Sequence, residues 1–195
     1  MDRTELLHII VSVFAISFAF AWDGSGASGG FFAGFLVVML TVGAGFVLHE
    51  LSHKFVAQNY GALAAYRAWP MGLLLAVGLS LLTGGGFVFA APGAVLIYGP
   101  HITREQNGKI SLAGPLVNFV LALFFISLAF AFPGVAGLSL FGGRVNAFLG
   151  LFNLIPFFPL DGQKVLAWSK GAWIAATLLL GGTLLFLIEV FPQIA

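Results

Sequence analysis

Apolar runs long enough to cross a lipid bilayer fill most of this sequence, and they decide its class before any motif is read. A spanning helix needs about 20 mostly apolar residues. Five stretches read as spans: Glu5–Trp22, Phe31–Val56, Ile110–Phe132, Val145–Leu160 and Gly171–Phe191. Only 8% of the 195 residues are charged and 60% are hydrophobic, whereas a soluble domain carries roughly 25% charged residues. So little charge cannot cover a soluble surface. The expected class is an all-α polytopic membrane protein with about five transmembrane helices, residues 1–195 forming a single integral membrane domain. The net charge of +1 comes without a basic patch, which excludes nucleic acid as a partner. The absence of cysteine excludes disulfides and thiolate metal ligands. Leu6–Trp22 lacks a small-residue cleavage site and another long run follows it at once, so it reads as a retained helix and not a signal peptide.

The stretch Met71–Tyr98 departs from this pattern. Gly84-Gly85-Gly86 splits it into Met71–Leu82 and Phe87–Tyr98, each of about 12 residues and too short to span as a helix. Aromatic and β-branched residues flank Pro92-Gly93 in the second piece, a turn signal, which predicts a membrane-embedded β-hairpin over Phe87–Tyr98. The whole of 71–98 then reads as a re-entrant excursion, and the competing reading is one ordinary helix with a glycine kink. Cytoplasmic loops collect Lys and Arg. With a cytoplasmic N-terminus and a re-entrant 71–98, Arg3, Lys54, Arg67, Arg104, Lys109, Lys164 and Lys170 lie inside and only Arg144 outside, seven of the eight basic residues. A single span there divides the same eight into four and four. The biased count favours re-entry, in a cell membrane, with the N-terminus cytoplasmic.

Chemistry enters at His49-Glu50-Leu51-Ser52-His53. Residues four apart share a helix face, so both imidazoles can reach one metal ion, and neutral imidazole suits zinc. Glu50 lies beside the pair and can act as general base toward water at the metal. Ionisable groups at the end of an apolar run cost about 2.5–3.5 kcal/mol each on insertion scales, so three within five residues need a compensating partner. Zinc in a catalytic site takes a third protein ligand. Glu5, Asp23, Glu105 and Glu189 sit in loops or near span ends, His8 is lone, and His101 follows Gly99-Pro100 in a charged loop. Asp161 stands out. It closes FNLIPFFPLDG, where Pro156 and Pro159 prevent a regular helix, and the re-entrant topology puts it at the depth of His53, near the cytoplasmic end.

HELSH together with Asn153-Leu154-Ile155-Pro156-Phe157-Phe158-Pro159-Leu160-Asp161-Gly162 resembles the site-2 protease family of intramembrane zinc metalloproteases, whose pattern is H-E-x-x-H followed by N-x-x-P-x-x-x-x-D-G. Leu112–Asn118 resembles the family's A-G-P-x-x-N segment, and the likeness covers about residues 31–165. It is similar to a minimal, core-only member without a PDZ-like insert, with one span after Asp161. The resemblance implies that Zn2+ is held by His49, His53 and Asp161, and that Asn153 holds the substrate or the oxyanion. It also implies that substrates are membrane-anchored proteins. Read from the residues alone, Asn153 can donate to an oxyanion, bond a carbonyl freed by Pro156, or bridge two helices. Asn118 reads as structural, with Gly114 suited to close helix packing. The rival from another class is a metal-binding membrane protein without hydrolase activity, a transporter or an inactive relative. Glu50 beside the first histidine argues against it, because a non-catalytic site has no use for that carboxylate.

The charge count has a direct test. In Gln106→Cys, a lone thiol in the Gly99–Lys109 loop, labelling is expected from the cytoplasmic side, which the N-terminus shares. Labelling only from the outside overturns the topology.

Overall fold

The structure is a computed structural model in which residues 1–22, 30–88, 92–99 and 102–192 are described. Helix α1 runs over Arg3–Ala21. Helix α2, Phe31–Val38, continues through a π-helical turn, Met39–Gly43, into α3, Ala44–Asn59. Strand β1, Leu63–Ala68, leads to α4, Pro70–Thr83, and strand β2, Gly93–Tyr98. Then come α5, Arg104–Ala131, α6, Ala136–Asn153, α7, Asp161–Trp168, and α8, Lys170–Val190. Among the described residues, five helical stretches are long and apolar enough to cross a membrane: 3–21, 31–59, 104–131, 133–153 and 170–190. The chain is thus a largely helical membrane protein, with one small sheet among those residues.

Local chemistry explains most boundaries. Asp2 caps α1 by accepting the Glu5 N–H at 2.6 Å. That bond, and then the Arg67 guanidinium, hold its carboxyl below the usual carboxylate range. Thr103 and Gln106 form a reciprocal capping box at the start of α5. Pro70 opens α4, and Gly84 closes it in the left-handed conformation, φ 60°.

Two sequence expectations are corrected. The fourth span is not Val145–Leu160 but Ala136–Asn153. Pro156 and Pro159, three residues apart, each remove a helix donor and crowd the preceding turn, and the apolar residues after Asn153 run as turns. At the other end the helix takes in Ser139, Leu140, Gly142 and Gly143, all buried, and that packing outweighs the low helix propensity of the glycines. The second correction concerns the hairpin. A two-stranded antiparallel pair is present, but Gly93–Tyr98 pairs with Leu63–Ala68 and not with residues before Pro92. Phe87 and Val88 are not in a strand, Phe89–Ala91 lie outside the described residues, and α4 fills the connection. Pro92-Gly93 starts a strand and does not turn one, and Trp69 N–H donates to Pro92 O at 2.7 Å just beyond the last strand pair. The Asp23–Gly29 part of the predicted link, and Pro100-His101, also lie outside the described residues.

The outer edge of β1 is covered by α1. Tyr66 N–H donates to Glu5 Oε1 at 3.1 Å, and Ala68 N–H to His8 Nδ1 at 3.2 Å. Glu5 is fully buried, and Lys54, one residue past His53 on α3, donates to both its oxygens at 2.7 Å. The Tyr66 hydroxyl shares a 2.8 Å hydrogen bond with Ser12. Tyr66 and Val95 are opposite each other. Antiparallel neighbours alternate between bonded and non-bonded pairs. Since Tyr66 N–H faces α1, Val95 N–H must also face away from the ladder, as must that of Ile97 two residues on.

The Glu5–Lys54 pair predicts a large mutational effect. Lys54→Met leaves the Glu5 carboxylate buried without its cation, which should cost about 3–5 kcal/mol. Unfolding of the detergent-solubilised protein should show it, with Glu5→Gln/Lys54→Met recovering part of the loss. A Lys54→Met protein as stable as the parent would exclude the pair as a structural clamp.

Candidate metal centre

Helix α3 presents His49 and His53 one turn apart, both buried, with ring centroids 4.7 Å apart and the rings nearly perpendicular at 86°. Asp161, also buried, begins α7. Its Oδ2 lies 3.2 Å from His49 Nε2 and 3.1 Å from His53 Nε2. One ligand atom from each of the three residues falls within 4.8 Å of the others. Asp161 Oδ1 turns the other way, toward Lys164 Nζ at 3.9 Å. A Cβ at Gly162 would strike the carbonyl oxygens of Leu154 and Ile155, so glycine lets α7 start hard against the turns that precede it.

Helix α5 backs both histidines. His53 Nδ1 lies 2.7 Å from Ile110 O, and a carbonyl only accepts, so Nδ1 carries the proton. His49 Nδ1 lies 2.5 Å from Asn118 Oδ1. When neutral, both rings would thus direct their Nε2 lone pairs at the Asp161 carboxylate. Three acceptors meeting in a buried pocket are the donor set of a divalent cation, and nitrogen–oxygen ligation by two imidazoles and a carboxylate fits zinc. A set of three protein ligands is also the catalytic kind, which leaves a position for water or substrate. Gly114 of α5 permits the approach: a Cβ there would collide with both imidazoles.

A cavity of about 320 Å³ adjoins this cluster. Glu50, Asn153, Lys164, Val95 and Ile97 line it beside the ligand set. Val95, whose N–H faces away from β1, lines the cavity with Glu50, so the edge of β2 borders the same space. Asn153 ends α6 half-buried, its amide donating to Leu149 O at 2.9 Å. Sequence reasoning thus names five residues that share one cavity wall. The other ionisable candidates are elsewhere: Glu5 is paired with Lys54, His8 accepts from Ala68, Glu105 pairs with Lys109 at 2.6 Å, and Glu189 is exposed. Asp23 and His101 lie outside the described residues. Sequence reasoning missed the orienting role of Asn118 and overlooked Ile110 and Asn146. A backbone carbonyl leaves no mark in a sequence. Asn146, a carboxamide inside an apolar run, was the one available signal.

Comparison with known proteins agrees with this geometry. The protein provisionally named zinc metalloprotease MJ0611 of Methanocaldococcus jannaschii is 41% identical over 190 residues, 96% of each chain. Zinc metalloprotease MJ0392 of the same organism is 35% identical over 127 residues, 62% of this chain and 30% of that one. The provisionally named zinc metalloprotease YwhC of Bacillus subtilis is 31% identical over 149 residues, 68% of this chain and 67% of that one. The chain thus spans nearly all of some relatives and under a third of others. No family model matches the chain, and no solved structure does. The chain belongs to the site-2 protease family of zinc metalloproteases.

Purified protein is expected to carry one zinc per chain, and His49→Ala to lose it. Elemental analysis decides this, and full zinc occupancy in His49→Ala would exclude the ligand set.

Proposed function

We propose that the chain is an intramembrane endopeptidase that hydrolyses membrane-anchored protein substrates, with His49, His53 and Asp161 holding zinc and Glu50 as general base. The observation that carries this reading is the shared cavity, which joins a three-ligand set, a carboxylate and a strand edge with no partner strand among the described residues. When bound, zinc supplies Lewis acidity toward the scissile carbonyl and lowers the pKa of water toward about 7. Glu50 takes a proton as water adds to the carbonyl carbon, then passes it to the amine nitrogen as the C–N bond breaks. Asn153 is the candidate to hold the substrate carbonyl or the oxyanion, and its position on the cavity wall supports that role.

A helical substrate hides its carbonyls in intrahelical bonds and must unwind before it can be cut. The sheet supports a way to hold it. One edge is closed by α1, and the outward N–H of Ile97 lies on the other edge, along the cavity. An unwound segment can add there as a third strand, with backbone bonds supplying affinity independent of side chains. In the cell membrane, the N-terminus is cytoplasmic, residues 71–98 re-enter from that side, and residues 1–195 act as one protease domain.

Two variants separate chemistry from binding. Glu50→Gln should keep zinc and lose cleavage by about 10²–10⁴-fold, because the amide cannot take the proton. Ile97→Pro removes an edge donor without touching the β1–β2 ladder, and should keep zinc but cleave helical substrates poorly. The loss should correspond to about 1–3 kcal/mol. Near-normal turnover in zinc-loaded Glu50→Gln removes Glu50 as base, and unchanged cleavage in folded Ile97→Pro places the substrate elsewhere.

A further inference from the structure

Behind His49 lies a chain of buried amides that the metal-site motifs do not include. Asn118 and Asn146 are both fully buried. Asn146 Nδ2 faces two backbone carbonyls, Gly142 O at 2.9 Å and Thr41 O at 3.3 Å. Thr41 belongs to the π-helical turn that precedes α3. Carbonyls only accept, so this end of the Asn146 side chain must be its NH2, and its Oδ1 must point the other way. There it accepts from Asn118 Nδ2 at 3.0 Å. Asn118 Nδ2 also lies 3.5 Å from Gly45 O. With its NH2 committed to acceptors, Asn118 can offer only its oxygen to His49 Nδ1. A Cβ at Gly45 would run into the Asn146 amide, so α3 and α6 are in close contact here.

We propose that Asn146 is a positioning residue: acting through Asn118, it holds His49 in the Nδ1–H tautomer with its Nε2 lone pair directed at the metal position. A lone carboxamide at 118 could turn over. Its NH2 would then face His49 Nδ1 and select the opposite tautomer, whose Nε2–H points at Asp161 and opposes ligation. The two backbone carbonyls at the far end of the relay remove that choice. His53 is an internal control, since Ile110 O fixes its tautomer without any side chain. The proposal rests on the reading of His49 as a zinc ligand, but the tautomer itself is measurable without metal.

The test uses full-length metal-free protein in detergent, with 15N-labelled histidine and the His49 signals assigned by their loss in His49→Ala. Asn146→Ala should shift His49 from the Nδ1–H form toward a mixture while His53 stays unchanged. Zinc affinity by chelator competition should fall about 10–100-fold, as for loss of other partners behind a metal-binding histidine. Asn118→Asp/Asn146→Ala should restore the Nδ1–H tautomer and most of the affinity, because a carboxylate offers oxygen whichever way it turns. A purely structural role for Asn146 predicts no such rescue. If Asn146→Ala is not recovered folded, Asn118→Leu gives the same tautomer readout. An unshifted His49 tautomer in the recovered variant, or no rescue in the double variant, overturns the relay. A tautomer shift in a protein whose parent binds no zinc supports the relay and overturns the metal reading instead.

Discussion

The meeting of Asp161 with His49 and His53 joins residues up to 112 positions apart, and the helices between them are arranged around it. Helix α3 brings the histidines, α7 brings the carboxylate, and α5 passes between as a common wall. That wall supplies one carbonyl, one carboxamide and one missing side chain, at Ile110, Asn118 and Gly114. The turns after Asn153 matter as much as the helices. If α6 ran on through Pro156 and Pro159, Asp161 would be carried further along the span axis. Broken there, the chain folds back, and Trp173 of α8 donates to Leu154 O at 2.7 Å to hold the turn.

An apolar environment makes each polar side chain costly unless it is bonded. This protein answers by gathering its buried amides, imidazoles and carboxylate into one connected network across α3, α5, α6 and α7. A second group, Glu5, Lys54 and Tyr66, binds α1 to the other side of α3. Helix α3 therefore carries the histidines between two polar anchors, one through Asn118 and one through Lys54. Neither anchor is a metal ligand, yet both restrain the helix on which the ligand geometry depends.

The sheet is asymmetric in a way that bears on substrate. Its β1 edge is closed by Glu5 and His8 of α1, whereas β2 runs along the cavity that Glu50 also lines. A two-stranded sheet is marginal by itself, and here a helix takes one edge. The other has no such cover among the described residues, and it borders the candidate metal centre.

What could be read from the sequence was local. Helix periodicity puts His49 and His53 on one face from their spacing alone, and run length identifies the spans. Paired motifs of fixed spacing name Asp161 and Asn153. The errors were also of one kind. The fourth span was misjudged because apolar character does not separate a helix from proline-broken turns. The β2 strand was matched to its nearest neighbour, although its partner lies about 30 residues earlier, across α4. The orientation of two carboxamides appears nowhere in the order of residues. By itself, the sequence determined the class of protein and the helix face that His49 and His53 share, because these follow from composition and a 3.6-residue repeat. Only the tertiary structure decided which strands pair, which edge α1 covers and which nitrogen of His49 faces Asp161, because each depends on contacts between segments far apart in the chain.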